Sequence, residues 1–182
     1  MYLIETERLA LRELDLIDLE SLHEILGDSA TMKYYPSTYS LEEVKSWLSR
    51  NIESYEKHSF GLWAMVLKGE ETFIGQCGIS MQDIDEELVP EIGYHINRNF
   101  WNKGYATEAA NACMPYGFNN LDLESIYIHT YVKNIPSQRI AEKIGMKRIK
   151  VYDKHIKNHN VTWQHVVFRV NKSELIYDLK VS

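Results

Sequence analysis

Apolar and polar positions alternate, or bunch, in a regular succession along this chain. Arg8 to Leu14 alternates and predicts a strand. Asp15 is placed to cap a helix running to about Leu26, stopped by Gly27. Ser40-Leu-Glu-Glu43 is a capping box and opens a second helix to about Lys57. Phe60 to Lys68 and Thr72 to Gln82 read as strands joined into a hairpin by Gly69-Glu-Glu. Leu88 to Asn97 predicts a further strand. Tyr105 to about Asn119 predicts an amphipathic helix that Pro115 would kink. A strand over Ser125 to Val132 and a short helix over Pro136 to Ile144 follow. Two strands, Met146 to His155 and Val161 to Asn171, flank the Lys157–Asn160 turn, and a short helix is expected over Ser173 to Lys180. Strands and helices alternate, so the expected class is α/β (α+β): one mixed central sheet with helices on both faces.

Composition narrows the class further. The 182 residues suit a single domain over residues 1–182. No apolar run approaches the length needed to span a bilayer, and no signal-peptide pattern opens the chain. The two cysteines, Cys77 and Cys113, suggest neither a disulfide framework nor a metal site, which fits a reducing cytoplasm. The net charge of −6 argues against a nucleic-acid partner. That charge is uneven. Residues 98–150 hold eight Lys/Arg and four acids, or +4, so the rest of the chain carries −10. A basic stretch of this kind suits a polyanionic ligand, and the acidic remainder a cationic one.

The basic stretch also holds the most informative segment, Ile96-Asn-Arg-Asn-Phe-Trp-Asn-Lys-Gly-Tyr-Ala-Thr-Glu108. A strand gives way to a small-residue turn and then to a helix. The unpaired N–H groups of a first helical turn, with the helix dipole behind them, favour an anion. Gly104 can take positive φ and lets a phosphate oxygen approach the backbone. No GxxxxGK[ST] string occurs, so Lys103-Gly104 is not a nucleotide triphosphate loop of the Walker kind. About thirty residues later comes Asn134-Ile-Pro-Ser137-Gln-Arg139-Ile-Ala-Glu-Lys-Ile-Gly145-Met146, after a β-rich run.

The two segments, in this order and at this distance, resemble the acetyl-CoA-dependent N-acetyltransferase (GNAT) superfamily. The phrase Trp-Asn-Lys-Gly-Tyr-Ala-Thr-Glu-Ala, followed by Asn134-x-x-Ser137 and Gly145, is most similar to its Rim-type branch (RimJ/RimL-like). The resemblance covers roughly residues 5 to 175. Three positions depart from it. Trp101 stands where the diphosphate loop usually has Gln or Arg, Met146 replaces a Phe, and Ala141 stands where many small-molecule acetyltransferases carry a tyrosine acid.

The resemblance implies a splayed pair of neighbouring strands, Glu91–Ile96 and Ser125–Val132. The pantetheine arm of acetyl-CoA would lie in that gap along Tyr94, His95 and Ile96. Asn102, Lys103, Gly104, Tyr105, Ala106 and Thr107 would hold the diphosphate, and Asn134, Ser137 and Arg139 would close on the cofactor from the far side. Asn134 or Ser137 can equally be a helix cap. The acceptor would be a small-molecule amine or a protein N-terminus, with no membrane partner, and homodimers occur in the family. Glu91 is the candidate base and Ser137 a candidate acid, although a thiolate leaves adequately without one. The substrate pocket would be built from Tyr34, Tyr35, Tyr39 and Trp63 on one side and Trp163 with His165 on the other. Tyr94, His95, His129 and Tyr131 read mainly as packing or pocket lining, and Cys77 as a buried apolar residue. His155 and His159 lack a third ligand, so no metal is expected. Two alternatives stand beside the acetyltransferase: a non-catalytic CoA-binding sensor module, and a transferase using another acyl-CoA donor.

Overall fold

The computed structural model describes residues 1–174. Eight strands form one sheet in the order β1-β2-β3-β4-β5-β6-β8-β7. They are β1 (Ile4–Glu5), β2 (Leu9–Glu13), β3 (Leu62–Leu67), β4 (Thr72–Ile84), β5 (Glu87–Ile96), β6 (Ser125–Tyr131), β7 (Lys147–Ile156) and β8 (Val161–Asn171). The helices are α1 (Leu19–Leu26), α2 (Leu41–His58), α3 (Tyr105–Asn119) and α4 (Ile135–Lys143).

Alternation along β3 shows how the faces are divided. Trp63 and Met65 belong to the large core shared with α3 and α4, whereas Ala64 between them packs with Leu22, Leu26, Val44 and Leu48 of α1 and α2. Both faces of the sheet are therefore covered by helices. A third small cluster, Ile84, Val89 and Val167, lies beyond them.

Local signals place most of the boundaries. Ser40 and Glu43 form the reciprocal capping box that starts α2, and Ser59 ends it at φ 65°. Asp15 does cap, but the element it opens is a 3₁₀ turn, Leu16–Asp18, and α1 follows from Leu19. The cause is Asp18, which closes the box with Asp15 and is gripped by both terminal nitrogens of Arg12, at 2.8 and 2.7 Å. β4 and β5 extend past the polar residues expected to end them. Asp85 and Glu86, both at positive φ, form the two-residue turn that joins them. α3 runs unbroken through Pro115. The helix expected over Ser173–Lys180 lies mostly outside the described residues. β1 carries no periodic pattern of its own and exists through its pairing with β2.

Every neighbouring pair is antiparallel except β5 and β6, which run parallel and meet at one register position only, Glu91 opposite Tyr127. Beyond it they diverge. Asn97 N–H donates to Ile74 O on the β4 side. The alternation of an antiparallel ladder then turns the main-chain polar groups of Tyr94 and Ile96 toward the gap.

Candidate active site

The turn between β5 and α3 is braced from behind and open in front. The Trp101 indole N–H donates to Ile96 O at 2.8 Å. Asn102 and Gly104 both take positive φ, 60° and 84°. Arg8, about a hundred residues upstream, donates to Lys103 O at 2.9 Å, pairs with Glu108 at 2.6 Å and lies over the Tyr105 ring at 4.5 Å. Glu108 also accepts from Thr6 and from the Arg8 main chain. On the open side, Gly104 offers no side-chain cap, and the N–H groups of Tyr105, Ala106 and Thr107 have no acceptor among the described residues. Unsatisfied first-turn amides on a fifteen-residue helix form a ready anion cradle.

The cradle opens onto a cavity of about 600 Å³ that runs into the gap between β5 and β6. Tyr94, His95 and Ile96 line it from β5, and Asn102, Gly104, Tyr105, Ala106 and Thr107 from the turn and α3. Asn134, Ser137 and Arg139 line it from α4, and Asn134 also caps that helix by accepting from the Ser137 N–H at 3.3 Å. Lys103 is absent from the wall. Its carbonyl is taken by Arg8, and its ammonium sits over the Phe100 ring at 5.1 Å.

Glu91 lies in the floor of the gap and is 9% exposed. Its Oε1 accepts from the His129 main-chain N–H at 3.2 Å and lies 3.5 Å from His129 Nε2. No protein group among the described residues bonds the other oxygen, Oε2. Burial raises the Glu91 carboxyl to about 7, against the opposing pull of the His129 N–H and the Lys154 charge. A carboxyl in that range is divided between acid and base near neutral pH, as general-base work requires.

Ser137 Oγ and the Tyr94 hydroxyl lie 2.8 Å apart across the cavity. Burial holds the Tyr94 hydroxyl far above its ordinary value, so it stays protonated. A protonated hydroxyl on β5 thus faces the Ser137 hydroxyl on α4, whereas Ala141 offers none. Ala141 itself is fully buried in the core. His95 is held by Gln76 at 3.1 Å, and burial lowers it to about 4, so its ring is neutral. Cys77 and Cys113 are fully buried with sulfurs 3.8 Å apart, and the hydrogen bond they share, with burial, raises the Cys113 thiol well above its ordinary value. Neither thiol is placed to act as a nucleophile.

The acceptor side divides. Tyr34 and Tyr35 line the cavity, with Tyr35 5.2 Å from the His95 ring. The structure does not bring Trp63 or Trp163 to the wall. Trp63 is fully buried, edge-on to Tyr116 at 5.2 Å, because its parity on β3 turns it toward α3. Trp163 stacks on Tyr131 at 4.5 Å, outside the cavity. The sequence reading missed Lys33 and Lys143, which line the cavity together with Trp101 of the loop and with His129, read there as packing or pocket lining. Both carried a usable signal: Lys143 is an exposed cation within the second cofactor motif, and Lys33 an exposed cation beside Tyr34 and Tyr35. Among the described residues no group of three or more His, Cys, Asp or Glu could hold a metal ion, and no helix is long and apolar enough to cross a membrane.

Known proteins share this sequence and geometry. The family profile "Acetyltransferase (GNAT) domain" matches residues 8–147. A Bacillus subtilis (strain 168) protein named "Uncharacterized N-acetyltransferase YnaD" is 34% identical over 173 residues, covering 94% of this chain and 98% of its own. The crystal structure of a GNAT-family acetyltransferase from Bacillus anthracis is similar at a TM-score of 0.80 and 32% identity, covering 95% of this chain and 99% of that one. The structure of RimL, a ribosomal α-N-protein acetyltransferase in complex with coenzyme A, shares the fold at a TM-score of 0.76 and 17% identity, over 94% of this chain and 98% of that one. With a family match over most of its length and a third of its residues shared with full-length relatives, the chain belongs to the GNAT family of N-acetyltransferases and is an acyltransferase enzyme.

Proposed function

We propose that this enzyme transfers the acetyl group of acetyl-CoA directly to a primary amine, either a protein N-terminal α-amine or a small-molecule amine. The observation that carries the reading is one cavity joining three things: unpaired α3 amides, a gap between β5 and β6, and a carboxyl poised near neutrality.

The residues fit the cofactor. The amides of Tyr105, Ala106 and Thr107, with Gly104 and Asn102, would hold its diphosphate. The outward polar groups of Tyr94 and Ile96 would meet the amides of its arm, as an added strand does. The Ile96 carbonyl is already partly engaged by Trp101, so Tyr94 would carry more of that pairing. Arg139 supplies charge from α4. When bound, the thioester supplies an activated acetyl group.

The protein's own part is proton traffic and placement. Glu91 Oε2 would accept the ammonium proton of the acceptor, directly or through water. An α-amine near pKa 8 is roughly 10% neutral at pH 7, and a lysine-type amine well under 0.1%, so the base matters more for the second class. Ser137, backed by Tyr94, would pass a proton to the departing thiolate, and the second proton shed by the acylated nitrogen would restore the hydroxyl. Tyr34 and Tyr35 would enclose the amine through their ring faces. Holding the two reactants together supplies a large share of the rate by itself.

The loop phrase and the fold shared with RimL support a Rim-type branch, and two unpaired cysteines support a reducing, cytoplasmic setting. A thiol-release screen against N-terminal peptides, polyamines, amino sugars and aminoglycoside-type antibiotics, run with acetyl-CoA and succinyl-CoA, tests the reading. Turnover with acetyl-CoA and at least one amine is expected. Release only with another acyl donor, or with no amine at all, would overturn it.

A further inference from the structure

A half-buried lysine stands behind Glu91 with no carboxylate to answer it. Lys154 enters from β7, and its Nζ lies 3.4 Å from His129 Nε2. The same ring nitrogen is 3.5 Å from Glu91 Oε1, and His129 Nδ1 is 2.8 Å from the Tyr152 hydroxyl. No acidic group among the described residues comes within ion-pair distance of Lys154.

The hydrogen-bond inventory fixes the direction of this contact. A lysine ammonium only donates, so Nε2 accepts from it and Nδ1 carries the ring proton toward Tyr152. Burial, with the charge of Lys154, keeps the His129 ring well below its ordinary value and therefore neutral. Nε2 then has one lone pair and two suitors. Ionised Glu91 cannot donate to it. Protonated Glu91 could, but only by displacing Lys154. The positive charge and the occupied lone pair act in the same sense, and both favour the ionised carboxylate. The other titratable groups that interact with Glu91 are Tyr94 on β5, Tyr152 on β7 and Tyr35 from the α1–α2 segment, while His165 on β8 and Asp83 on β4 interact with Lys154. Burial keeps the tyrosines protonated and His165 neutral. Lys154 is the cation this arrangement directs at Glu91.

We propose that Lys154 is a positioning residue for Glu91: acting through His129, its ammonium keeps the carboxylate in the proton-accepting form while the acceptor amine is bound. The inference rests on Glu91 as the base. In the step it serves, a proton passes from the acceptor's ammonium to Glu91, and Lys154 neither gains nor loses one.

The test reads the carboxyl itself. Protein labelled with ¹³C at the glutamate carboxyl carbon is titrated by NMR, with Glu91→Gln identifying the resonance. The midpoint is expected to rise by about half to one pH unit in Lys154→Met and in Lys154→Gln, and to stay in place in Lys154→Arg. Thermal melts of all three confirm that folded protein is being compared, and either neutral variant suffices. An unmoved midpoint in the neutral variants overturns the proposal, as does an equal rise in Lys154→Arg. The acid limb of kcat/KM against pH is measured alongside. If that limb moves with the carboxyl, the proposal is supported in full. If the carboxyl moves and the limb does not, the Lys154–Glu91 coupling is supported and the base reading of Glu91 falls.

Discussion

The two ends of the cavity are built on different principles. At the α3 end the working groups are main-chain amides, indifferent to pH and supplied by any residue that tolerates the turn. Their bracing, Arg8 with Glu108, is partly exposed, with side-chain exposures of 41% and 18%. At the Glu91 end the working groups are side chains held in burial, each dependent on its neighbours: Glu91 on His129, His129 on Tyr152 and Lys154, Tyr94 on Ser137. A main-chain site needs the right conformation, and a side-chain site needs the right residues at the right burial. The first should therefore yield to backbone changes, and the second to single-atom changes and to pH.

The largest expected effect breaks the second end alone. Glu91→Gln keeps the acceptor for the His129 N–H and removes the base, so kcat/KM should fall about 100-fold or more. Acetyl-CoA affinity by calorimetry should stay within about two-fold, since the cradle is untouched. The loss should be greater for a lysine-type amine than for an N-terminal peptide. A fall in cofactor affinity as large as the fall in rate would show that the two ends are not separable in this way.

The same substitution should reverse sign when stability is measured. The folded Glu91 carboxyl sits at about 7, above its ordinary value near 4.5. The folded state therefore binds more protons than the unfolded chain between those values, and this group's contribution falls as pH rises through that window. Below about pH 4.5 wild type and Glu91→Gln should be equally stable. Above about pH 7 the variant should be the more stable, by up to about 3 kcal/mol. Urea titrations at pH 4.5 and 8 measure it. Equal stability at both would mean the carboxyl does not carry the cost assigned to it.

The first end is broken by backbone. Gly104 sits at φ 84°, and a Cβ there would meet Arg8 Nη2 at 3.4 Å, an ordinary contact. The cost of Gly104→Ala is thus conformational, roughly 1 kcal/mol or somewhat more. If the turn relaxes to relieve it, the amides lose their aim. Acetyl-CoA affinity should drop by about ten-fold, with kcat at saturation changed little. An unchanged affinity would remove Gly104 from the cofactor site.

The two ends also differed in how far sequence could reveal them. The cradle is local: a strand, a glycine turn and a helix start lie within thirteen consecutive residues, and local signals survive folding. Its brace is not local, and nothing in the segment around Arg8 announces a partner a hundred residues away. At the other end Ser137 was legible through its motif, Glu91 through its place on the splayed strand, and Tyr94 as cofactor or pocket lining. His129 meets Glu91 across 38 residues and Tyr94 meets Ser137 across 43, joined only by the divergence of two strands. The aromatic residues show the limit most clearly. Trp63 and Tyr35 looked alike as pocket candidates, and the difference between them is which way a residue of β3 faces. Parity along a strand buried on both faces cannot be read from its own apolar run, because both parities are hydrophobic.

The smallest effect sharpens the comparison rather than breaking it. Tyr94 and Ser137 share one short hydrogen bond, and in the proposed reaction they serve the leaving thiol. A thiol of ordinary pKa near 8.5 leaves as a thiolate without much help, so an acid there can contribute little. Ser137→Ala and Tyr94→Phe should each lower kcat by about three- to ten-fold. The double variant should lose no more than the worse single one, because both remove the same proton donor. The deficit should shrink when the leaving thiol is made more acidic, for example with an aryl thioester donor. Additive losses in the double variant would mean that the two hydroxyls work separately. A deficit that persists with the more acidic leaving group would mean that they hold the acyl donor in place rather than protonate it.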